Sequence, residues 1–449
     1  MSFSHFTQRL KARLQGEGSG TILARGAVGA LVTRVGGIGI AFLMQVVLAR
    51  LLGIGSYGVF IYAFTWMDVL ALVTLIGGEQ TLVRYLAAYR AEAAFDRMRG
   101  LLRAGYLAVL AVSATTAGLG AAVVAWLGDR IPAELATAFY LGFAALPFLA
   151  VSGVNRGALR GLKRPTYALF PEYVLRPLLL LAFAGAAFWA LAWDPTAPRA
   201  MALFLLAALA ATALGWVWLR REVPAEAARS RPVFTPRDWL AMAVPALVMS
   251  GMNMVLKQTD VIMVGVLVDT DQAGIYAAAS RAAQLVVFGL MSVNTMLGPM
   301  ISEFYTQGRH AELQRVVTLA ARGSFAFMAV VGLALGLGGE AILGLFGPAF
   351  GAGYAPLLVL IGGQMVNALS GSVGLILFMT GNQKDAATVL VGTVVINLVL
   401  NALFIPAWGL LGAAGATATA TALWNLILLL RVRRKLGIDP TLLGRPPGG

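Results

Sequence analysis

Cysteine is absent from this sequence, and histidine occurs only twice. Without cysteine the chain has no disulfide framework, no thiolate metal site and no thiol redox motif. His5 and His310 both lie in polar segments, where a solvated surface side chain is the simplest interpretation. The sequence therefore predicts neither a metal site nor a catalytic residue.

Charge is also scarce, since charged residues make up 12% of the 449 residues and hydrophobic residues 59%. The mean hydropathy is +0.81. A soluble domain contains about 25% charged residues, so this composition predicts an integral membrane protein with many spans. Residues 1–21 are polar and basic and lack a small-residue cleavage site. We interpret them as a cytoplasmic amphipathic segment and not as a secretory signal peptide.

Long apolar stretches predict an all-α fold with about 12 transmembrane helices. Each stretch contains roughly 20 residues, which is enough to cross ~30 Å of hydrocarbon. The predicted spans are residues 27–49, 57–82, 102–127, 135–155, 169–193, 200–219, 239–267, 272–300, 316–338, 353–379, 387–407 and 409–430. The links near Pro406 and at 268–271 are short, so the number of spans depends most on them.

Basic residues distinguish the two sides of the membrane. With both termini in the cytoplasm, most of the 34 lysines and arginines fall into inner segments, whereas the outer loops contain only Arg50, Arg130 and Arg199. This bias follows the positive-inside rule and predicts a multi-pass protein of the cytoplasmic membrane. Because this topology accounts for most of the net charge of +14, we predict no nucleic-acid partner. Anionic membrane lipids are the expected partners of the basic segments.

A linker rich in proline and charge divides the predicted spans six and six. We predict an N-terminal six-helix lobe (1–219), a cytoplasmic linker (220–238), a C-terminal six-helix lobe (239–435) and a cytoplasmic tail (436–449). Residues 51–63 faintly resemble residues 267–279. The match places Gly58 over Gly274. An even number of spans gives both lobes one orientation, which predicts a parallel duplication with a substrate site where the lobes meet.

The seventh predicted span contains three polar side chains on one helix face. Asn253, Lys257 and Asp260 follow i, i+4, i+7 spacing. A charge near the membrane centre costs several kcal/mol unless it faces protein, a partner or water. Arg281 lies at a similar depth in the eighth span, so we expect it to meet Asp260. The pair is either structural, or it belongs to a cationic wall in which Lys257 faces a substrate anion.

In the first lobe, Arg34 and Asp68 occupy neighbouring spans with an offset of roughly 6 Å along the membrane normal. A direct contact and a water-filled cavity between them fit this spacing equally well. Glu79 follows a pair of glycines, where it titrates, pairs with Arg84 or has a structural role at the interface. Arg176, near the start of the fifth span, is expected to extend towards the interface.

These residues form the predicted functional sites. The predicted cationic substrate-binding cavity contains Arg34, Asn253, Lys257 and Arg281, and the predicted ion-coupling or charge-partner residues are Asp68, Glu79 and Asp260. The sequence lacks a P-loop motif, and its G-x-G-x-x-G match at 53–58 joins two spans and not a strand to a helix. We therefore predict no cofactor, and ion exchange or the membrane potential as the driving force, with H⁺ and Na⁺ as the candidate coupling ions.

Residues 33–66, TRVGGIGIAFLMQVVLARLLGIGSYGVFIYAFTW, resemble the N-terminus of bacterial polysaccharide exporters of the O-antigen flippase (Wzx) type. These exporters belong to the multidrug/oligosaccharidyl-lipid/polysaccharide (MOP) superfamily. The most recognisable parts are LARLLG (48–53) with Tyr57-Gly58, and in the second lobe DVIMVG (260–265) with AGIY (273–276). In the number of spans the resemblance covers essentially the whole chain.

The resemblance implies two pseudo-symmetric six-helix bundles that form a V-shaped central cavity, open alternately to each side. It implies a transporter that flips undecaprenyl-diphosphate-linked oligosaccharide from the inner to the outer leaflet of the bacterial inner membrane, for cell-surface polysaccharide biosynthesis. Contact with the polysaccharide polymerase machinery is a further implied partnership. Cationic side chains suit such a substrate because they make charge-assisted contacts with phosphate.

Three other functions compete with this one. An ion-coupled multidrug or cation antiporter of the same superfamily would need buried carboxylates, whereas the cations Arg34, Lys257 and Arg281 outnumber the two carboxylates deep in the spans. The family's lipid II flippases typically have two more spans than we predict. A membrane enzyme would need catalytic loops, and the predicted loops are too short. We therefore expect a transporter of an anionic substrate and not an enzyme.

Overall fold

The computed structural model describes the backbone of residues 19–444, and their side chains except those of residues 19–28, 30, 31, 292 and 295. Most of the predicted amphipathic segment 1–21 lies outside this part of the chain. The α-helices, in chain order, are α1 (Ser19–Thr74), α2 (Gly78–Ala91), α3 (Phe95–Leu127), α4 (Ala133–Gly161), α5 (Pro165–Phe170), α6 (Arg176–Ala184), α7 (Ala197–Glu222), α8 (Ala225–Arg229), α9 (Pro236–Leu267), α10 (Thr270–Thr306), α11 (His310–Gly344), α12 (Tyr354–Ser370), α13 (Val373–Met379) and α14 (Gln383–Leu436). Two π-helical segments, Pro171–Leu175 and Gly185–Ala190, and two 3₁₀ segments, Gly128–Arg130 and Pro348–Gly353, complete the helical elements.

Ten helical segments of the described chain are long and apolar enough to cross a membrane. Helices suit hydrocarbon because all their backbone hydrogen bonds lie within one segment, and the predicted all-α membrane fold is confirmed. α1 and α14, the two longest helices, each contain one non-helical residue, Gly53 with φ 71° and Gly409 with φ 55°. Gly53 lies in the predicted link 50–56, and Gly409 is the first residue of the twelfth predicted span. If α1 and α14 are each divided at its non-helical glycine, the ten segments become twelve, which is consistent with the twelve predicted spans.

The second predicted span is shorter than expected. Predicted over 57–82, it ends with α1 at Thr74, and the separate helix α2 follows. Gly77 connects them with φ 68°. A Cβ atom at Gly77 would lie 2.0 Å from the carbonyl oxygen of Ala243 in α9. The break therefore depends on glycine both for its backbone angle and for the close approach of α9.

The tenth predicted span, 353–379, is interrupted. α12 ends at Ser370 and α13 begins at Val373, and Gly371 between them has φ 71°. A Cβ atom at Gly371 would lie 2.1 Å from the carbonyl oxygen of Pro440. The segment that follows α14 therefore packs directly on the break.

This segment, residues 437–444, is also anchored to α11, and we call it the C-terminal clasp. The backbone nitrogen of Asp439 donates to Oε1 of Gln314 at 2.8 Å, and Nε2 of Gln314 donates to the carbonyl oxygen of Asp439 at 2.6 Å. Arg433 pairs with the Asp439 carboxylate at 2.8 Å. The described part of the predicted tail 436–449 is therefore packed against α11 and against the break between α12 and α13.

Within the described chain the helices form two compact units. Unit 1 contains the residues up to Leu51 and Trp66–Gly251, and unit 2 contains Leu52–Thr65 and the residues from Met252. The predicted linker 220–238 packs on α3 in unit 1, where the hydroxyl of Ser230 donates to the carbonyl oxygen of Phe95 at 3.0 Å. The boundary between the two units at Gly251 and Met252 thus lies within α9. The sequence-based division into lobes 1–219 and 239–435 stays a prediction about the duplication.

Each unit has its own apolar core. The core of unit 1 includes Leu82, Leu86, Met98, Val154, Leu159 and Trp239. The core of unit 2 includes Ile301, Leu313, Ile376, Leu377, Leu428 and Val432. Small residues bring membrane helices close together, and in unit 2 a Cβ atom on Gly274 would lie 3.0 Å from the Cα atom of Gly58. The two glycines that the sequence comparison aligns are therefore in contact.

Large apolar side chains also cover the outside of the helices. Exposed examples on α3 and α11 are Leu107, Leu119, Val123, Leu319, Val330, Leu333 and Leu337. Exposed tryptophans at Trp126, Trp189 and Trp408 lie near the ends of predicted spans. Tryptophan is enriched where a membrane meets water, so this distribution agrees with a membrane-spanning fold.

Candidate functional site

Asp260 is buried in the second half of α9, where 5% of its surface is exposed. The Tyr276 hydroxyl donates to its Oδ2 atom at 2.9 Å, and Nδ2 of Asn401 donates to its Oδ1 atom at 2.8 Å. The Thr417 hydroxyl also donates to Oδ2. A buried charge is costly unless it is paired or hydrogen-bonded, and here three neutral donors from α10 and α14 serve the carboxyl group.

Acceptor atoms are left over around this carboxyl group. We call Asp260, Tyr276, Asn397, Asn401 and Thr417 the Asp260 cluster. The Oδ1 atoms of Asn397 and Asn401 are buried and have no hydrogen-bond partner among the described residues. Each such atom costs about 1–3 kcal/mol. Because carboxylate and amide oxygens are acceptors and ligands of hard cations, the cluster is chemically suited to hold a proton or a small cation.

The predicted contact between Asp260 and Arg281 is wrong. Tyr276 contacts Asp260 and precedes Arg281 by five residues, which turns a helix by about 140° beyond one full turn. Arg281 therefore lies on another face of α10. It is half-buried and takes part in no ion pair among residues 19–444. It lies close enough to Tyr57 for an electrostatic interaction.

Unit 2 also contains a polar cleft of about 260 Å³. Residues of α9, α12 and α14 line it, among them Asn253, Lys257, Gln364, Asn367, Trp424 and Asn425. We call it the amide cleft, because side-chain amides dominate its polar lining. Asn253 and Lys257, which are predicted to share a face of α9, are both exposed and both line the cleft. Lys257 is the only charged residue among the described lining residues.

The amide cleft and the Asp260 cluster share two residues. Asn397 and Thr417 line the cleft. The same Thr417 hydroxyl donates to Asp260, and the side chain of Asn397 lies close enough to that carboxyl group to interact with it. Asp260 itself does not line the cleft. Its carboxyl group therefore lies behind Asn397 and Thr417 when viewed from the cleft.

In unit 1, Glu79 belongs to a cluster of ion pairs near the end of α4. Its carboxylate pairs with Nη2 of Arg156 at 2.6 Å and with Nη1 of Arg160 at 2.8 Å. Arg156 also pairs with Glu172. Arg156 and Arg160 lie four residues apart and hence on one helix face. The alternative in which Glu79 pairs with Arg84 is wrong, because these two arginines occupy its carboxylate.

Asp68 is half-buried on α1 and lies close enough to Arg156 and Arg176 for electrostatic attraction. Arg34 is exposed and belongs to no ion pair in the described chain, so no ion pair joins it to Asp68. The guanidinium group of Arg176 lies 5.5 Å from the ring centroid of Phe204. This side chain therefore packs on an aromatic ring inside unit 1, and its extension towards the interface stays a prediction.

A second cleft, of about 340 Å³, lies between α2 and the start of α9 in unit 1. Nη1 of Arg84 donates to Sδ of Met242 at 3.2 Å, and the guanidinium group lies 5.6 Å from the Tyr85 ring centroid. Most of the other lining residues are apolar. None of the predicted site residues lines this cleft.

Sequence reasoning missed several members of these sites. Asn397 and Asn401 lie four residues apart within the eleventh predicted span. This spacing places both amides on one helix face, so the sequence could have predicted that they belong to one site. Arg156 falls in a predicted inner segment, where its charge was attributed to the topology. Thr417 gave no signal, because threonine is common between packed membrane helices.

A protein-family model described as "Polysaccharide biosynthesis protein" matches residues 23–305. Among curated proteins, the "Probable low-salt glycan biosynthesis flippase Agl15" of Haloferax volcanii is 25% identical over 170 residues, which cover 38% of this chain and 36% of that protein. The chain thus spans about a third of the length of this curated relative.

Solved structures of two transporters resemble the chain over nearly its whole length. An inward-facing multidrug resistance MATE family transporter of the MOP superfamily aligns with a TM-score of 0.73 and 13% identity, covering 96% of this chain and 97% of that chain. The lipid II flippase MurJ, in an inward closed conformation, aligns with a TM-score of 0.70 and 15% identity, covering 91% and 87%. At these identities the likeness shows a shared fold.

Proposed function

Because the chain belongs to the polysaccharide biosynthesis protein family, we propose that it flips a lipid-linked oligosaccharide across a membrane. The resemblance to MOP-superfamily exporters is confirmed, since the family model matches more than half of the chain and the fold is that of MOP transporters. The chain is a multi-pass membrane protein of this superfamily.

The finer parts of the proposal concern the substrate and the direction. We propose undecaprenyl-diphosphate-linked oligosaccharide as the substrate, moved from the inner to the outer leaflet of the bacterial inner membrane by alternating access. Both termini lie in the cytoplasm in this proposal, and the product serves cell-surface polysaccharide biosynthesis. A curated relative named as a glycan biosynthesis flippase supports the substrate class.

The observation that carries the proposal is an arginine within an apolar span that has no carboxylate partner among the described residues. Arg281 is half-buried in α10 and takes part in no ion pair of the described chain. Such a charge is expensive in a membrane unless a partner or water meets it. A diphosphate supplies that partner, because guanidinium groups make strong charge-assisted hydrogen bonds to phosphate. Lys257, in the lining of the amide cleft, adds a second cation in unit 2.

We propose that the Asp260 cluster binds the coupling cation, H⁺ or Na⁺. Its carboxyl group is buried, three neutral groups donate to it, and two amide oxygens beside it have no partner among the described residues. A cation would use these spare acceptors, and its binding would change the charge of the cluster by one unit. Glu79 pairs with Arg156, and Asp68 lies close enough to Arg156 for electrostatic attraction, which favours a structural role for both.

The antiporter alternative predicts a different lining. A cationic drug needs carboxylates and aromatic rings around it, because opposite charges attract in a site of low dielectric. The described residues of the amide cleft include one lysine and no carboxylate. This lining favours an anionic or neutral ligand over a cationic drug. We therefore prefer the flippase function to the antiporter function, although the fold is shared with a multidrug transporter.

A complementation assay tests the proposed function. A bacterial strain without its own polysaccharide flippase would express the chain, and surface glycan would be measured. We expect Arg281→Ala and Lys257→Ala each to reduce export at least about tenfold, since a charge-assisted hydrogen bond is worth about 1.5–3 kcal/mol. Arg315→Ala, at an exposed position of α11, serves as the matched control and should export normally.

Membrane insertion of each variant would be measured in the same cells by immunoblotting of the membrane fraction. Normal export by both Arg281→Ala and Lys257→Ala would refute the role of these cations. A wild-type chain that inserts but restores no glycan to the surface, in strains that make several different oligosaccharides, would refute the flippase proposal itself.

A further inference from the structure

The amide cleft of unit 2 combines side-chain amides, one tryptophan and one lysine in its described lining. We propose that it binds the sugar residue that is attached to the phosphate of the substrate. This inference rests on the proposed function and names the part of the substrate that unit 2 recognises.

The size of the amide cleft suits a single sugar ring. At about 260 Å³ it lies just below the range of roughly 300–1,000 Å³ that is usual for ligand pockets. A whole oligosaccharide therefore does not fit, whereas one monosaccharide unit does. The rest of the glycan would extend out of the cleft, so the site would accept glycans of different length.

The polar groups of the cleft suit hydroxyl groups. Each asparagine or glutamine amide offers one acceptor oxygen and two donor hydrogens, and a sugar hydroxyl both donates and accepts. Five such side chains line the cleft, namely Asn253, Gln364, Asn367, Asn397 and Asn425. Nδ2 of Asn367 donates to Oε1 of Gln364 at 3.3 Å, a long hydrogen bond that a ligand hydroxyl can replace.

Trp424 supplies the apolar surface that a sugar also needs. Its half-buried indole ring lines the cleft together with the amides. Aromatic rings offer a large flat apolar face, and the carbon-bound hydrogens on one face of a pyranose pack against such a ring. An inorganic anion has no such face, so the tryptophan distinguishes a sugar phosphate from free phosphate.

Lys257 lies in the same lining and would bind the phosphate group of the ligand. It is exposed and is the only charged residue among the described lining residues. A lysine ammonium group acts as a flexible point charge towards phosphate. The amides and Trp424 would thus hold the sugar, and Lys257 would contact the phosphate attached to it.

Binding of sugar phosphates to the full-length protein tests this proposal. Isothermal titration calorimetry in lipid nanodiscs would compare glucose 1-phosphate and N-acetylglucosamine 1-phosphate with glucose and inorganic phosphate. We expect a sugar phosphate to bind more tightly than either of its parts. Trp424→Ala and Asn367→Leu should each weaken its binding at least about tenfold. Lys257→Gln should reduce the advantage of the sugar phosphate over the free sugar.

One control variant and one exposed test variant keep the test specific. Trp408→Ala removes an exposed tryptophan outside the cleft and should leave the Kd unchanged. Lys257→Gln changes an exposed side chain, so it reports on the site even if a core variant fails to fold. Absence of sugar-phosphate binding to the wild type, equal binding of inorganic phosphate, or binding unaffected by Trp424→Ala would each overturn the proposal.

The outcome can be separated from that of the proposed function. If the wild-type chain restores glycan export but binds neither sugar phosphate, the carbohydrate site is refuted and the flippase function stands. If the chain restores no export with any oligosaccharide, the flippase function is refuted whatever the calorimetry shows.

Discussion

The carboxyl group of Asp260 lies in an apolar helix, and neutral groups alone donate to it. These hydrogen bonds hold the group in place without neutralising it. Two adjacent amide oxygens lack partners among the described residues. A proton or a Na⁺ ion would satisfy such acceptors. Binding and release of the cation at this residue would therefore change the hydrogen bonds that α10 and α14 make to it.

Asp260→Asn keeps the size of the side chain and removes its charge. We expect the protein to fold and to insert, while transport of lipid-linked glycan no longer responds to an imposed Na⁺ or H⁺ gradient. Flipping in proteoliposomes with each gradient applied separately measures this response and identifies the ion. Asp194→Asn, at a carboxylate whose side chain is 87% exposed, is the control and should respond as the wild type does. An Asp260→Asn protein that still responds fully to a gradient would rule out this residue as the coupling site.

Glu79 holds the two arginines at the end of α4. Glu79→Gln leaves Arg156 and Arg160 without their shared carboxylate, and hydrogen bonds to charged groups are worth about 1.5–3 kcal/mol. We therefore expect the free energy of unfolding to fall by about 2 kcal/mol, measured by denaturation in detergent micelles. Glu312→Gln breaks the Arg309–Glu312 pair, whose side chains are both 45% exposed, and should change it by less than about 1 kcal/mol. Equal effects of the two substitutions would contradict the structural role of Glu79.

At this scale the sequence predicts helix faces better than it predicts partners. The spacing of Asn253 and Lys257 placed both on one face, and both line the amide cleft. The depth of Arg281 did not make it a partner of Asp260, because depth along a span contains no information on rotation about the helix axis. Asn401 and Thr417 lie 141 and 157 residues further along the chain than Asp260, so no local pattern identifies them.

Glycines determine where the long helices break and where they touch. The break at Gly53 falls in the predicted link 50–56, and the break at Gly409 lies one residue beyond the predicted link at residue 408. The break at Gly371 lies inside an apolar span and is covered by the carbonyl oxygen of Pro440. The C-terminal clasp packs on this break. The sequence of the span alone does not reveal that contact.

Gly58→Ala tests the close helix contact in unit 2. The added Cβ atom would lie 2.4 Å from the carbonyl oxygen of Thr270, so the two helices must move apart. We expect the free energy of unfolding to fall by about 1–3 kcal/mol, as measured by thermal or denaturant unfolding. Gly55→Ala, on the same helix with no atom within 4 Å of the added Cβ, should be neutral or stabilise by up to about 1 kcal/mol. Destabilisation by Gly55→Ala alone would contradict this packing.

The C-terminal clasp predicts a pH dependence. Burial acts to raise the pKa of Asp439, but hydrogen bonds from Thr441 and Arg433 outweigh it, so the pKa lies below its usual value. A lowered pKa in the folded state means that the charged form stabilises the clasp at neutral pH, and that this stabilisation is lost as the pH falls through the lowered pKa.

We therefore expect residues 437–444 to stay protected from hydrogen exchange at neutral pH and to lose protection only at a pH below the usual range of aspartate. Asp439→Asn should weaken the protection at neutral pH and remove this acid transition. Asp385, whose carboxylate pairs with Arg431 at 2.7 Å outside the clasp, gives the matched control Asp385→Asn, which should leave the transition in residues 437–444 intact. An unchanged transition in Asp439→Asn would contradict the account of the clasp.

For the whole molecule, composition was enough to predict the class. Scarce charge and long apolar runs predicted the all-α membrane fold, and the segment 33–66 carried the family resemblance that the family model confirms. The V-shaped cavity and the parallel duplication stay predictions. The division into units did not follow from the linker, because Ser230 and its neighbours pack on α3 and keep the start of α9 in unit 1.

The central claim is that this chain moves a lipid diphosphate glycan across a bilayer with the help of its cations within the spans. The most direct measurement uses purified protein in liposomes that contain a fluorescent undecaprenyl-diphosphate glycan, with an impermeant quencher added outside. We predict that the wild type makes the inner-leaflet pool accessible to the quencher, and that Arg281→Ala does so at least about tenfold more slowly. Equal quenching with and without wild-type protein, under every ion gradient, would contradict the account.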